Sequence, residues 1–261
     1  MERKAPFTES MNRAVETFVP YISVDCIIMG FDAGCIKILL CKRKESDKWL
    51  LTGGFIRRDE GPDDSAYRIL ESKTGIGRDG FLKQFYFFNK KCNAGDDENL
   101  MMLKRLDVEE IPENMVNLGR FVSLSYYLLV KYQDVEIAAE EYEELEWFDI
   151  NALPELYGTH GMLINLAVSE IRKQVGFIPF GYELLPDKFT MPELRSIYEA
   201  ILGRELDRRN FQRKMLSIGY IQPLNEVRKE GAHKSPHLYT FVKEKYRAAK
   251  IKDVQLMSNN L

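Results

Sequence analysis

No run in this 261-residue sequence approaches the ~20 consecutive apolar residues that a bilayer-spanning helix needs, which argues against a helical membrane protein. Cysteine is sparse: Cys26, Cys35, Cys41 and Cys92 form no Cys-x-x-Cys pair, and no histidine stands at metal-ligand spacing from them. Structural zinc sites and a disulfide framework are thereby excluded. Three of the thiols lie in apolar, strand-like stretches and read as buried groups in a reducing compartment. The opening Met1-Glu2-Arg3-Lys4-Ala5-Pro6 has no apolar segment behind it, so no secretory leader is expected, and a cytoplasmic protein is. Charge of one sign is also missing overall, since the formal balance is only −3. That near-neutrality hides a division. Residues 182–261 carry +5 and residues 1–181 carry −8, so the two parts are expected to meet different partners. Apolar content of 45% beside 30% charged residues is ordinary for a globular chain, and the length allows one large or two modest domains.

What is present is organised around Gly53-Gly54-Phe55-Ile56-Arg57-Arg58-Asp59-Glu60 and the sixteen residues that follow. A paired glycine at the end of an apolar strand, a charged loop, Pro62 inside a first helical turn and Gly75 just past the last one predict strand, loop and helix in that order. Ala66, Ile69, Leu70 and Lys73 recur at helical spacing and mark the face laid against a sheet.

This stretch resembles a Nudix box, in which a glycine is followed after five residues by Glu and after seven more by Arg-Glu-apolar-x-Glu-Glu-x-Gly-apolar. Gly54, Glu60, Arg68, Leu70, Gly75 and Ile76 fall in register. The resemblance implies that carboxylates on the helix hold Mg²⁺ against a pyrophosphate, yet Ile69 replaces the first of them and Ser72 and Lys73 replace the pair. Mg²⁺ requires hard anionic oxygens in octahedral array, and an ammonium repels it. Glu71 is retained one residue out of register, about 100° around the helix. The expectation is a Nudix frame with no catalytic residues, no metal site and no cofactor. In that frame Gly53, Gly54, Arg57, Arg58 and Arg120 are the candidate effector contacts, each weighed against a merely solvated or salt-bridged role.

Residues 1–19 form an arm without a strong apolar stripe. Residues 21–29 and 35–41 read as strands of a hairpin around Gly30 to Gly34. Residues 81–89 and 119–132 follow as strands, the second strongly apolar, with Tyr126 and Tyr127 expected in the core. Between them, residues 92–117 form an acidic insertion that is either a solvated loop or a lid or dimer contact. Glu144-Leu145-Glu146-Trp147 matches the Glu-x-x-Trp segment that Nudix proteins carry at this place, and a helix over 161–175 is expected to close a domain spanning 20–176.

Residues 177–187, with two prolines and a glycine, read as a linker that packs through its aromatics. Thr190-Met191-Pro192-Glu193 is a capping-box signature opening a helix with Leu194, Ile197, Tyr198 and Ile201 on one face. Asp207 caps a second helix, Arg208 to Ile218, in which Phe211, Met215 and Ile218 face inward and Arg208, Arg209, Gln212 and Arg213 remain outside. Two further strands, 220–223 and 238–241, flank a loop containing Arg228, Lys229 and Lys234. Helix, turn, basic helix and basic hairpin over 188–250 resemble a winged helix-turn-helix whose second helix can enter a major groove. Residues 251–261 form a tail.

The fold class expected is α+β: a Nudix-like α/β/α sandwich with a mixed sheet, then a smaller winged helix-turn-helix domain. The combination is similar to the Nudix-related transcriptional regulators, NrtR and its arabinose-sensing relatives. That resemblance implies a homodimeric repressor of double-stranded operator DNA whose Nudix half binds a small effector, a sugar or an ADP-ribose-like nucleotide. Loss of the Mg²⁺ carboxylates tilts the choice toward a sugar. Two other readings stay open: a hydrolase that recruits Glu60, Glu71 or the insertion acids to hold its metal, and a winged helix used for protein contacts.

Overall fold

The computed structural model describes residues 18–44, 46–78, 81–91, 120–141, 143–175, 181–228 and 235–245. Residues 1–17 of the arm, all of the 92–117 insertion, Lys229, Lys234 and the tail therefore lie outside the described residues. The chain divides into two compact units, the first holding residues 1–29, 38–129 and 134–167, the second residues 30–37, 130–133 and 168–261.

The larger sheet contains the strands β1 (Phe18–Asp32), β2 (Cys35–Arg43), β3 (Leu50–Arg57), β4 (Phe81–Lys91), β5 (Arg120–Leu129) and β6 (Glu143–Asp149). They form one sheet in the order β4-β5-β1-β3-β2-β6. It is mixed: β1 runs parallel to β5, from Ile22 opposite Val122 to Met29 opposite Leu129, and antiparallel to β3. Val24, Cys26, Ile27, Ile28, Ile38, Leu39, Leu40 and Leu51 are fully buried, so the central strands are covered on both faces and read as continuous apolar runs. Tyr126 and Tyr127 are core residues, as expected. Helix α1 (Pro62–Thr74) buries Ser65, Ala66, Ile69, Leu70, Lys73 and Thr74, and Gly75 ends it in the left-handed region at φ 70°.

Three features differ from the expectation. The hairpin loop is shorter than Gly30 to Gly34: the strands continue to Asp32 and restart at Cys35, leaving Ala33 (φ 49°) and Gly34 (φ 83°) as a two-residue turn with both φ positive, which matches the twist of the flanking strands. The paired glycine does not end its strand, because β3 runs through Gly53 and Gly54 to Arg57. Strand β5 stops at Leu129, and a 3-10 turn, Tyr132–Asp134, follows.

Helix α2 (His160–Gln174) buries Leu163, Ile164, Ala167 and Ile171. It does not simply close the first unit: its residues from Val168 onward belong to the second.

The second unit contains the short strand β7 (Phe189–Thr190), α3 (Met191–Leu202), α4 (Arg208–Ile218), β8 (Ile221–Val227) and β9 (His237–Phe241), in a three-stranded sheet ordered β7-β9-β8. Both caps form. Glu193 N–H donates to Thr190 Oγ1 at 3.4 Å while Thr190 N–H donates to Glu193 Oε2 at 2.7 Å, and Asp207 accepts from Asn210 N–H at 2.8 Å. Phe189, Leu194, Ile197, Ile201, Phe211, Met215 and Phe241 are buried, with the Tyr198 and Phe211 rings edge-on at 5.2 Å. Ile218 is not: it is 38% exposed, because α4 ends there at left-handed Gly219 and its last turn leaves the packed face. The 181–187 part of the linker packs as its aromatics imply, with Tyr182 against Phe241 at 5.6 Å.

A Cβ at position 181 would lie 2.5 Å from Leu194 Cδ1 and 3.0 Å from Phe241 Cζ, inside the core of this unit. Gly181→Ala is therefore expected to cost about 1–3 kcal/mol by overpacking. Urea unfolding checks this, and an unchanged midpoint would show that the core yields there freely.

Candidate functional site

The box keeps its frame through one arginine. Arg68 Nε donates to Glu60 Oε2 at 2.9 Å and its Nη2 to Glu60 Oε1 at 2.6 Å, a forked pair. The same Nη2 reaches Phe55 O and Ser65 Oγ, both at 3.0 Å. One side chain on α1 thus ties together the end of β3, the loop and the start of its own helix. Arg57 N–H donates to Glu60 Oε1 at 2.9 Å as well. Burial pushes the Glu60 carboxyl up, but the Arg68 hydrogen bonds, the Arg57 amide and the Arg68 charge outweigh it and hold the pKa down at about 2.

At the other end of α1 an ammonium stands where the second paired carboxylate would be. Lys73 is 8% exposed. Its Nζ lies 3.0 Å from Glu140 Oε1 and is hydrogen-bonded to Glu143 Oε1, which is equally buried. The carboxylates arrive because residues 134–143 run along the C-terminal turn of α1, where Glu136 N–H donates to Thr74 O at 3.0 Å and Ala138 N–H to Lys73 O at 3.1 Å. Burial alone would lower the lysine's pKa; the hydrogen bonds and charges of Glu143 and Glu140 raise it instead, so the group stays protonated. Ile69 packs over Gly54, its Cδ1 3.5 Å from where a Cβ would be, and Glu71 and Ser72 are exposed.

A divalent ion does not fit this donor set. The three positions that would ligate it present a hydrocarbon, a hydroxyl and a paired cation, and Glu60 is committed to Arg68. Among the described residues no group of three His, Cys, Asp or Glu side chains could hold a metal. The acids of the insertion lie outside those residues.

The candidate effector residues do not gather into one cluster. The two glycines lie on opposite faces of the sheet: Gly54 is under α1, whereas Gly53 is in register with Asp25 on the other face. There Asp25 and Ser123 are hydrogen-bonded, beside Ser23 and Ser125, in a buried polar strip across β1 and β5. Isolated serines within apolar strands carry no signal in sequence, so only the register reveals this strip. Arg57 and Arg58 are exposed at the end of β3, and Arg120 begins β5.

In the second unit Arg208, Arg209 and Arg213 are exposed on α4, and Gln212 is half-buried with its Nε2 3.3 Å from Tyr239 Oη. At eleven residues this helix is ~16 Å long, enough to lie in a major groove ~12 Å wide. Arg228 is engaged within the domain, its Nη1 2.6 Å from Glu193 Oε1 and its Nη2 3.3 Å from Lys188 O. Two side chains that sequence reasoning passed over, Arg195 on α3 and His237 on β9, share a cleft with Arg208 and Gln212. Their signal is weak in sequence, because each is a single cationic or imidazole side chain with no basic neighbour in its own element.

Known families account for both units. Residues 20–164 match the NUDIX domain model, and residues 181–241 match the model of the NrtR DNA-binding winged helix domain. The chain is 27% identical over 234 residues, 87% of its own length and 84% of the relative's, to a protein described as the ADPR responsive transcriptional repressor NtrR of Acinetobacter baylyi. Among solved structures it resembles Shewanella oneidensis NrtR complexed with a 27mer DNA, with a TM-score of 0.66 and 21% identity, covering 87% of this chain and 96% of that one. A MutT/nudix family protein from Enterococcus faecalis gives a TM-score of 0.61 at 21% identity, covering 92% of this chain and 94% of the other. These two likenesses establish a shared fold.

Two outcomes test the box. Lys73→Met leaves buried Glu143 without its cation and is expected to cost about 3–5 kcal/mol in urea unfolding, against under about 1 kcal/mol for Lys42→Met, whose partner Glu144 is exposed. Equal losses would mean that Lys73 is only a surface charge. The Glu60 pKa is depressed, so its contribution is complete above the ordinary carboxyl value of 4.5 and is lost as pH falls toward about 2. Glu60→Gln should therefore flatten the stability profile between those pH values, and a wild-type profile retained in the variant would deny the Arg68 pair that role.

Proposed function

We propose that this chain, which belongs to the NrtR-type family of Nudix domains fused to a C-terminal winged helix, is an effector-responsive DNA-binding repressor whose Nudix half senses rather than cleaves. The observation that carries this reading is the ion-paired Lys73 at the box position where a metal carboxylate would stand. A site that hydrolysed its ligand would consume its own signal, whereas a site whose cation is covalently part of the helix can only bind and release.

The relative from Acinetobacter baylyi is described as ADPR responsive, which supports ADP-ribose over a plain sugar as the effector class here. Exposed Arg57 and Arg58, next to the box loop, are suited to an anionic ligand. Capped, basic α4 is the helix that would read base edges, with Arg209 in its first turn. Two copies of the chain acting on a palindromic site would give a homodimeric repressor. To weaken operator binding tenfold the effector must favour the released form by about 1.4 kcal/mol, and firm induction needs two to three times that.

A gel shift on DNA upstream of the protein's own coding sequence tests this. The wild-type protein is expected to retard that DNA in preference to a scrambled duplex, and ADP-ribose to release it. Arg209→Ala should weaken specific binding by about 1–3 kcal/mol. No preference for the upstream DNA would sink the repressor reading, and robust Mg²⁺-dependent turnover of ADP-ribose would sink the sensor reading.

A further inference from the structure

The second unit carries a cleft of ≈ 390 Å³ where three elements converge: the start of α3, the start of α4 and the strand β9. Its polar lining is Arg195, Arg208, Gln212, Ser235, His237 and Tyr239. No carboxylate is among the described lining residues. The nearby acids are turned to other work. Glu193 takes the Thr190 amide and Arg228, and Asp207 caps α4. Glu199 accepts from Leu206 N–H at 2.8 Å, and its Oε1 stands 3.4 Å from Arg195 Nε. That Nε is buried, and it forms no hydrogen bond. That edge of the guanidinium is turned to Glu199, so with Arg195 also lining the cleft its terminal nitrogens are the donors a ligand there would meet.

We propose that this cleft is a phosphate clamp: Arg195 from α3 and Arg208 from α4 close on one backbone phosphate of duplex DNA, with His237 and Ser235 of the wing completing the donors. The proposal rests on the DNA-binding reading above and goes beyond it, since it gives the first helix of the pair a direct contact. Forked guanidiniums match phosphate oxygens, and the two non-bridging oxygens of a backbone diester offer one acceptor face to each of them. Placement agrees. Arg208 and Gln212 lie one turn apart on α4, so the cleft borders the helix that would occupy the groove and faces the flanking strand. Gln212, held by the Tyr239 hydroxyl, stands between groove and clamp. A contact of this kind sets the register of α4 and carries no sequence information itself.

Fluorescence anisotropy with the upstream duplex and with a scrambled duplex, from 50 to 200 mM KCl, tests the clamp. Arg195→Gln is expected to weaken both duplexes by the same factor and to reduce the salt slope by about 0.9, one phosphate's worth of counterions. Arg208→Gln should do the same. The double variant should lose only about one contact in slope, because the phosphate is held only when both arginines close on it, and losing either releases it. Arg195→Lys should keep the slope. Should the glutamine variant fail to fold, Arg195→Met, which retains the aliphatic stem, carries the same comparison.

Wild-type binding with an unchanged slope in Arg195→Gln overturns the clamp and leaves the repressor reading intact. Slopes that fall by the full sum of two contacts place the arginines on separate phosphates and overturn it as well. Absence of wild-type binding to either duplex sinks both readings together. Thermal unfolding in inorganic phosphate against chloride at matched ionic strength supplies a further arm: a rise in Tm that Arg195→Gln abolishes, with DNA binding untouched, would assign the cleft to a free anion instead.

Discussion

A buried ammonium cannot be left alone, and the first unit is arranged around that requirement. Lys73 stands inside the protein with Glu143, and Glu140 closes the pair from the solvent side. Removing either sign would strand the other in a medium that solvates it poorly. The consequence is mechanical as well as electrostatic. Residues 134–143 are drawn along the last turn of α1, where their amides also satisfy carbonyls that a helix end leaves open. Sheet edge, connecting segment and box helix are therefore held as one piece by a single salt-bridged cluster.

Arg68 does the corresponding work at the front of the same helix, and the two together explain how the frame of the box outlives its chemistry. Gly54 admits Ile69 against β3, and Arg68 binds Glu60, the Phe55 carbonyl and Ser65. None of these contacts needs a metal. Positions that shape the turn are separable from positions that would ligate an ion, so the latter can change to isoleucine, serine and lysine while the fold persists. A former ligand position occupied by lysine carries a fixed charge where a catalytic site would carry an exchangeable one.

In the winged-helix unit the same separation applies between charges that build and charges left for a partner. Arg228 is spent on Glu193, and Lys188 pairs with Glu226 at 2.7 Å. Arg208, Arg209 and Arg213 remain exposed on α4. The +5 balance of the C-terminal part is thus a poor guide to any one residue, since side chains of the same type are divided between internal pairs and the open face.

Local signals did determine a good deal. Pro62 and Gly75 bounded α1, Thr190 with Glu193 and Asp207 marked two helix starts, and the identities at 69, 72 and 73 already showed the box without its own Mg²⁺ carboxylates, because each of these rests on residues within a few positions of one another. Tertiary structure decided the rest. Glu140 and Glu143 lie 67 and 70 residues from Lys73, the two adjacent glycines turn to opposite faces only once strand register is known, and Arg195 meets Arg208 and His237 only when two helices and a wing converge. Capping, turns and helical stripes are short-range physics that the order of residues specifies directly. Which charge meets which partner depends on chain segments brought together by packing, and no spacing in the sequence encodes it.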